Sequence, residues 1–256
     1  MAGMVTPQNF RQMLRDGAPL SGIFQCTTSF QIAEILSHSA LDYICLEAEH
    51  GATSLPLIHA QVAAIADRKP VIVRVAPMDL RAIKPVLDLG VTGIMVADVR
   101  SADEAREIVA HTRFAPEGKR GIGGSIRASR YGMDASYFPE GPEQPITVIL
   151  QIESQEAIDN IAEISAVDGV DAVFIGPMDL SAQLGHRADP AAPKVQNAIT
   201  TALALAKDSG TASGILCPPA KVAEWTAEGV SLFLLGSDIG ALVGSVNAMM
   251  STAKEG

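Results

Sequence analysis

The stretch AVFIGPMD, residues 172–179, decides the fold. Ala172 to Ile175 form an unbroken apolar run, which suits a strand covered on both faces. Gly176 and Pro177 punctuate it. Asp179 follows at once, where the chain passes from strand to a helix starting near Leu180. The unit is strand, tight turn, helix, with an acid at the junction.

Seven other apolar runs resemble it. They are GIFQCT (22–27), DYICLEAE (42–49), PVIVRV (70–75), GIMVAD (93–98), ITVILQIE (146–153), ASGILC (212–217) and SLFLLGSD (231–238). Between them, segments 55–67, 79–90, 102–114, 154–167 and 195–210 carry apolar residues at helical spacing. Ser154 and Asp79 are N-cap candidates, and Gly90, Gly210 and Gly229 suit helix ends. Strand then helix, eight times in 256 residues, predicts one (β/α)8 barrel domain spanning 1–256. The rival is an open doubly wound sheet. It calls for a G-x-G-x-x-G turn after an early strand, and the first three strands have none. One connection is long: about thirty residues rich in Gly, Pro and Arg, from Ala115 to Pro145, read as a lid or an interface.

Hydrophobic residues make up 48% of the chain and charged residues 19%, enough for a large core with apolar surface left for subunit contacts. The net charge of -10 disfavours nucleic-acid partners. No apolar run is long enough to span a bilayer, and the N-terminus lacks a signal-peptide core, so the expectation is a cytoplasmic protein without membrane partners. Cys26, Cys45 and Cys217 lie in apolar segments and read as buried free thiols.

In a barrel the chemistry sits at the carboxyl ends of the strands. Strand two ends on Glu47-Ala48-Glu49-His50, strand three carries Arg74, strand five ends on Gln151-Ile152-Glu153, strand six on Asp179 and strand eight on Ser237-Asp238. Five polar ends are thus candidates to converge on one mouth. Glu153 and Asp179 close neighbouring strands. Two carboxylates that near resist joint ionisation unless a cation sits between them, and oxygen donors suit Mg2+ or Mn2+. The plainer alternative makes Glu153 a neighbour of the Ser154 cap and Asp179 a cap itself. His50 is a candidate base, with Glu47 or Glu49 to orient its ring. Arg74 suits a carboxylate or a developing oxyanion, or else a surface ion pair. None of the seven lysines ends a strand, which argues against imine chemistry and for a metal Lewis acid.

The segments LEAEHG (46–51), VIVRV (71–75), LDLGVTGIMV (87–96), PEGKRGIGG (116–124), RASRYG (127–132), LQIES (150–154), GVDAVFIGPMDLSAQLG (169–185) and GILC (214–217) together resemble the HpcH/HpaI aldolase family. These are metal-dependent, class II pyruvate aldolases on a barrel of the phosphoenolpyruvate/pyruvate-binding type. They include 4-hydroxy-2-oxoheptanedioate, 2-dehydro-3-deoxyglucarate and 2-keto-3-deoxy-rhamnonate aldolases. The resemblance implies reversible cleavage of 4-hydroxy-2-oxo acids to pyruvate or hydroxypyruvate plus an aldehyde, through a metal-stabilised enolate. Glu153 and Asp179 would hold the metal, Mg2+ or Mn2+ first, with Co2+, Zn2+ or Ni2+ as alternatives. His50 would be the base, with Glu47 as its partner, and Arg74 would stabilise the enolate. Gln151 would line the site. Backbone N–H groups of Met178 and Asp179 would bind the substrate carboxylate. Phe24 and Leu216 would touch the aldehyde, and Asp88 would reach a neighbouring subunit's site. The family assembles as a hexamer, a trimer of dimers with an exchanged C-terminal helix, which the apolar tail IGALVGSVNAMM suits.

The chain departs from the family at Glu47, Phe24 and Met178, where Asp, Trp and Ala are common, and at VAD (96–98), where a Pro is common. These departures bear on substrate choice. Two rival readings keep the fold. One is a CoA-thioester lyase of the citramalyl-CoA type, with Arg127 and Arg130 for the nucleotide phosphates. The other is a non-catalytic metabolite-binding barrel.

Overall fold

A computed structural model describes residues 4–138 and 145–255. Eight strands follow one another as expected: β1 (Leu20–Gln25), β2 (Tyr43–Glu47), β3 (Val71–Val75), β4 (Gly93–Val96), β5 (Thr147–Ile152), β6 (Ala172–Ile175), β7 (Ala212–Leu216) and β8 (Leu232–Ser237). Each pairs in parallel with the next, and β8 pairs with β1 to close the barrel. An open sheet is thereby excluded. All the strands but β3 end before their apolar runs do.

Alternate residues point to opposite faces of a strand, so two cores form. The inner one fills the barrel with Leu20, Phe24, Cys45, Ile72, Met95, Ile149, Phe174 and Leu234. The outer one packs the other strand faces, such as Ile44, Val73, Ile94 and Leu150, against the helices. Tyr43 spans the inner layer, and its hydroxyl donates to the Phe233 carbonyl at 3.0 Å. Gly22 makes room for it: a β-carbon there would lie 2.6 Å from the Tyr43 ring. Helix Phe10–Arg15 closes the amino end of the barrel with buried Phe10 and Leu14. At the same end, Arg11 and Arg15 both donate to buried Asp171 at 2.8 Å. That end carries stability, and the opposite end is free to carry chemistry.

The helices begin as their caps predict. Ser154 accepts from Ala157 N–H and Asp79 from Ala82 N–H. One expectation changes. The pattern over 154–167 forms two short helices, Gln155–Asp159 and Ile161–Ser165, hinged at Asn160. The Asn160 side chain donates to the Arg100 carbonyl at 2.8 Å, a tertiary bond invisible to periodicity. The long connection is anchored at Arg120 in its described part, though Ile122, Tyr131 and Met133 are exposed. Buried Arg120 stacks on Phe114 and donates to Asp88 and Tyr137 at 2.9 Å. Residues 139–144 of the expected lid lie outside the described residues.

Helix Asp238–Glu255 leaves the barrel with Leu242 65% exposed, alongside exposed Val243, Val246 and Met249. Cys45 and Cys217 are buried free thiols, whereas Cys26 is only half-buried. Among the described residues, no helix is long and apolar enough to cross a membrane.

Candidate active site

The carboxyl ends of the strands surround a cleft of about 260 Å³. Its walls include Phe24, His50, Arg74, Gln151, Glu153, Met178, Asp179 and Leu216, eight residues that the sequence singled out. Phe174, Gly176 and Pro177 complete it. Among the described residues no lysine lines it.

The register of β2 on β3 sets Glu47 directly beside Arg74. Arg74 Nε donates to Glu47 Oε2 at 2.7 Å, and a terminal guanidinium nitrogen donates to the same oxygen. Arg74 Nε also lies 3.4 Å from Glu49 Oε2. The guanidinium sits over the Phe24 ring, 4.4 Å from its centroid. Arg74 is buried, so it is no surface ion-pair partner. Charge-assisted bonds and the ring fix its rotamer and aim the rest of its fork.

Glu47 does not hold the His50 ring. Its Oε1 accepts the backbone N–H groups of Glu49 at 2.7 Å and His50 at 3.0 Å, and its Oε2 is taken by Arg74. The carboxylate shapes the EHG turn, and the ring's near acid is Glu49, 3.8 Å from Nε2. The His50 side chain is 61% exposed at the rim. Burial, then the neighbouring Glu47 and Asp179, push the Glu49 carboxyl up, against the pull of Arg74 and His50. Glu49 appeared in the sequence only as an alternative partner for His50. Its extra signal was its spacing from Glu47, which points both acids at Arg74.

Glu153 is buried at the centre. Its Oε2 accepts the Asp98 N–H at 3.2 Å, while its Oε1 has no hydrogen-bond partner among the described residues. Burial, then the charges of Asp179 and Glu49, push its carboxyl up to about 8. Asp179 is not the cap of its helix. The helix is Pro177–Gln183, its N-cap is Gly176, and Asp179 lies in its first turn. Two carboxylates thus line one cleft, and one of them carries an orphaned oxygen. A divalent cation fits: it would satisfy Oε1 and offset the burial and the Asp179 charge that raise the Glu153 carboxyl. Among the described residues no group of three His, Cys, Asp or Glu side chains is poised to hold a metal. Gln151 Oε1 is a second buried acceptor in the cleft without a partner among the described residues.

Two expected residues lie elsewhere. Asp238 does not reach the cleft, because its carboxylate accepts Cys26 N–H at 2.8 Å, Thr27 N–H at 3.1 Å and the Thr27 hydroxyl. It braces the end of β1. Asp88 lies at the end of helix Leu80–Leu87, tied to Arg120 at 2.9 Å, and does not line the cleft of its own chain.

Comparisons with known proteins bear on the family and the fold. A family model described as HpcH/HpaI aldolase/citrate lyase matches residues 20–244. A 4-hydroxy-2-oxo-heptane-1,7-dioate aldolase of Escherichia coli is 36% identical, over 97% of this chain and 98% of that protein. A hydroxypyruvate/pyruvate aldolase of Delftia acidovorans is 38% identical, over 93% of this chain and 90% of that protein. The crystal structure of an HpcH/HpaI aldolase/citrate lyase family protein from Burkholderia cenocepacia superposes with a TM-score of 0.91, at 31% identity, over 96% of this chain and 99% of that one.

Proposed function

The chain belongs to the HpcH/HpaI aldolase/citrate lyase family, and we infer that it is a divalent-metal-dependent aldolase joining pyruvate or hydroxypyruvate to an aldehyde, reversibly. The observation that carries this reading is the buried, unpartnered Oε1 of Glu153 beside Asp179.

Glu153 and Asp179 would hold the cation, Mg2+ or Mn2+ by their oxygen chemistry, and when bound it supplies Lewis acidity at the substrate ketone. Every other element of the chemistry belongs to the chain. The N–H groups of Met178 and Asp179, in the first turn of their helix, have no acceptor within that helix and suit the substrate carboxylate. Arg74, locked by Glu47 and Phe24, presents its free N–H groups where the ketone oxygen gains charge. His50 takes a proton from C3, and nearby Glu49 stabilises the imidazolium. The C3 carbanion equivalent attacks the aldehyde carbon, forming the C3–C4 bond, and the aldehyde oxygen takes up a proton. Cleavage runs the same steps backward. Phe24, Leu216 and Met178 offer apolar walls to the aldehyde.

The CoA-thioester reading fits less well. The two relatives compared above over more than nine-tenths of this chain, at 36% and 38% identity, are named as aldolases. Arg127 donates to the Leu89 carbonyl at 2.7 Å, and neither Arg127 nor Arg130 lines the cleft. We assign Asp88 a role in a neighbouring protomer's site, in a cytoplasmic hexamer built as a trimer of dimers. The exposed apolar face of helix Asp238–Glu255 supports such an assembly, because exchange of that helix would bury it.

The test is solvent-deuterium exchange into the pyruvate methyl group, followed by NMR. Exchange should stop on chelation, return with Mn2+ or Mg2+, and survive borohydride treatment with pyruvate. Borohydride trapping of a lysine adduct overturns the metal reading. Turnover of citramalyl-CoA without turnover of free 2-oxo acids selects the thioester lyase.

A further inference from the structure

Asp98 stands just past the end of β4 with φ of 45°, a left-handed conformation that a residue with a side chain adopts rarely. An outlier at the mouth of a barrel calls for a cause. Two bonds supply one. The Asp98 N–H points across to β5 and donates to Glu153 Oε2 at 3.2 Å. The Asp98 carboxylate grips Arg100 in a fork, with Nε to Oδ1 at 3.0 Å and Nη2 to Oδ2 at 2.7 Å.

Arg100 is itself anchored along its backbone. Its N–H donates to Glu104 Oε2 at 2.7 Å, and its carbonyl accepts from Asn160 at 2.8 Å. The turn is thus tied to two outer helices, Ala102–Thr112 through Glu104 and the hinge at Asn160. We propose that the Asp98–Arg100 fork holds residue 98 left-handed so that its N–H occupies Glu153 Oε2, which leaves Oε1 alone to face the metal. Asp98 and Arg100 are then positioning residues for the metal carboxylate. Without that N–H, no other group among the described residues bonds Oε2, and the carboxylate is free to rotate or to bind two-handed. Preorganised ligands bind more tightly than ligands that must be ordered on binding.

The inference rests on Glu153 being a metal ligand, so the experiment separates the two. Mn2+ binding is titrated by calorimetry with pyruvate present, for the wild-type chain, E153Q, D98V, D98G and R100M. Loss of Mn2+ binding in E153Q supports the metal reading. A wild-type chain that binds no Mn2+ overturns that reading and this inference with it. Given wild-type binding, D98V, whose branched side chain resists positive φ, should bind Mn2+ about tenfold more weakly. D98G retains the N–H and adopts positive φ freely, so it should stay within about twofold of wild type. R100M, cut at a half-exposed side chain, should lose about threefold with its melting temperature unchanged. If D98V matches wild type, or D98G binds as weakly as D98V, the backbone role is wrong. If D98V fails to fold, R100M decides: unchanged affinity refutes the fork.

Discussion

Glu153 Oε1 stands against the bare α-carbon of Gly176, so close that a β-carbon at 176 would lie 2.0 Å from it. The φ of Gly176 is -95°, an ordinary value for any residue. The glycine is therefore required for space and not for backbone freedom. Gly176→Ala should leave the fold intact but drive the carboxylate from its place. Expected are a loss of Mn2+ affinity of tenfold or more and a fall in kcat/KM of about a hundredfold, ~2.7 kcal/mol of transition-state stabilisation. Calorimetry and steady-state kinetics check it.

The pH dependence of the metal-free protein follows from the same carboxyl. Glu153 titrates near 4.5 in an unfolded chain and near 8 in the folded one. Between those values the folded state holds the extra proton. Its contribution to stability is complete below about 4.5 and is lost as pH rises through 8. The slope is at most about 1.4 kcal/mol per pH unit, the value for one proton. Chemical denaturation of chelated protein at pH 5, 6, 7 and 8 should show stability declining, and Glu153→Gln should flatten the decline. Mn2+, which must displace that proton, should bind more tightly as pH rises over the same range.

Arg74 and Glu47 form a buried pair, and breaking it leaves a charge unpaired. Arg74→Met should lower stability by about 3–5 kcal/mol and kcat by about a thousandfold. Arg74→Lys retains the charge but loses the fork. It should recover most of the stability and little of the rate. Urea midpoints read beside kcat separate the two roles.

His50 predicts the opposite pattern. Its ring is mostly solvent-exposed, and its near acid, Glu49, is 3.8 Å away. His50→Gln should change stability by less than about 0.5 kcal/mol. Exchange of the pyruvate methyl protons should slow by about a hundredfold to ten-thousandfold. Unchanged exchange in this variant removes His50 from the mechanism.

Helix Asp238–Glu255 carries the assembly prediction. Leu242→Asp with Val246→Asp places two charges on its exposed apolar face. Sedimentation velocity should show a smaller particle than the wild type, with the barrel still folded by circular dichroism. An unchanged mass removes this helix from the interface.

Sequence alone was enough for the barrel and for its chemical theme. Strand faces alternate, helices repeat every few residues, and caps are local, so eight apolar runs with caps and glycines between them specify a closed sheet with little ambiguity. Acids placed at the ends of adjacent strands suggest a cation site by the same local logic. Only the folded chain decided which polar ends meet. Asp238 and Asp179 look alike in sequence, yet one braces the end of β1 and the other enters the cleft. Glu47 binds two backbone N–H groups and Arg74 instead of the His50 ring, and Asp98 turns left-handed to reach Glu153. The reason is physical. Where a side chain goes just beyond a strand depends on the loop's backbone angles and on partners distant in sequence, and buried polar atoms settle on whichever partner satisfies them.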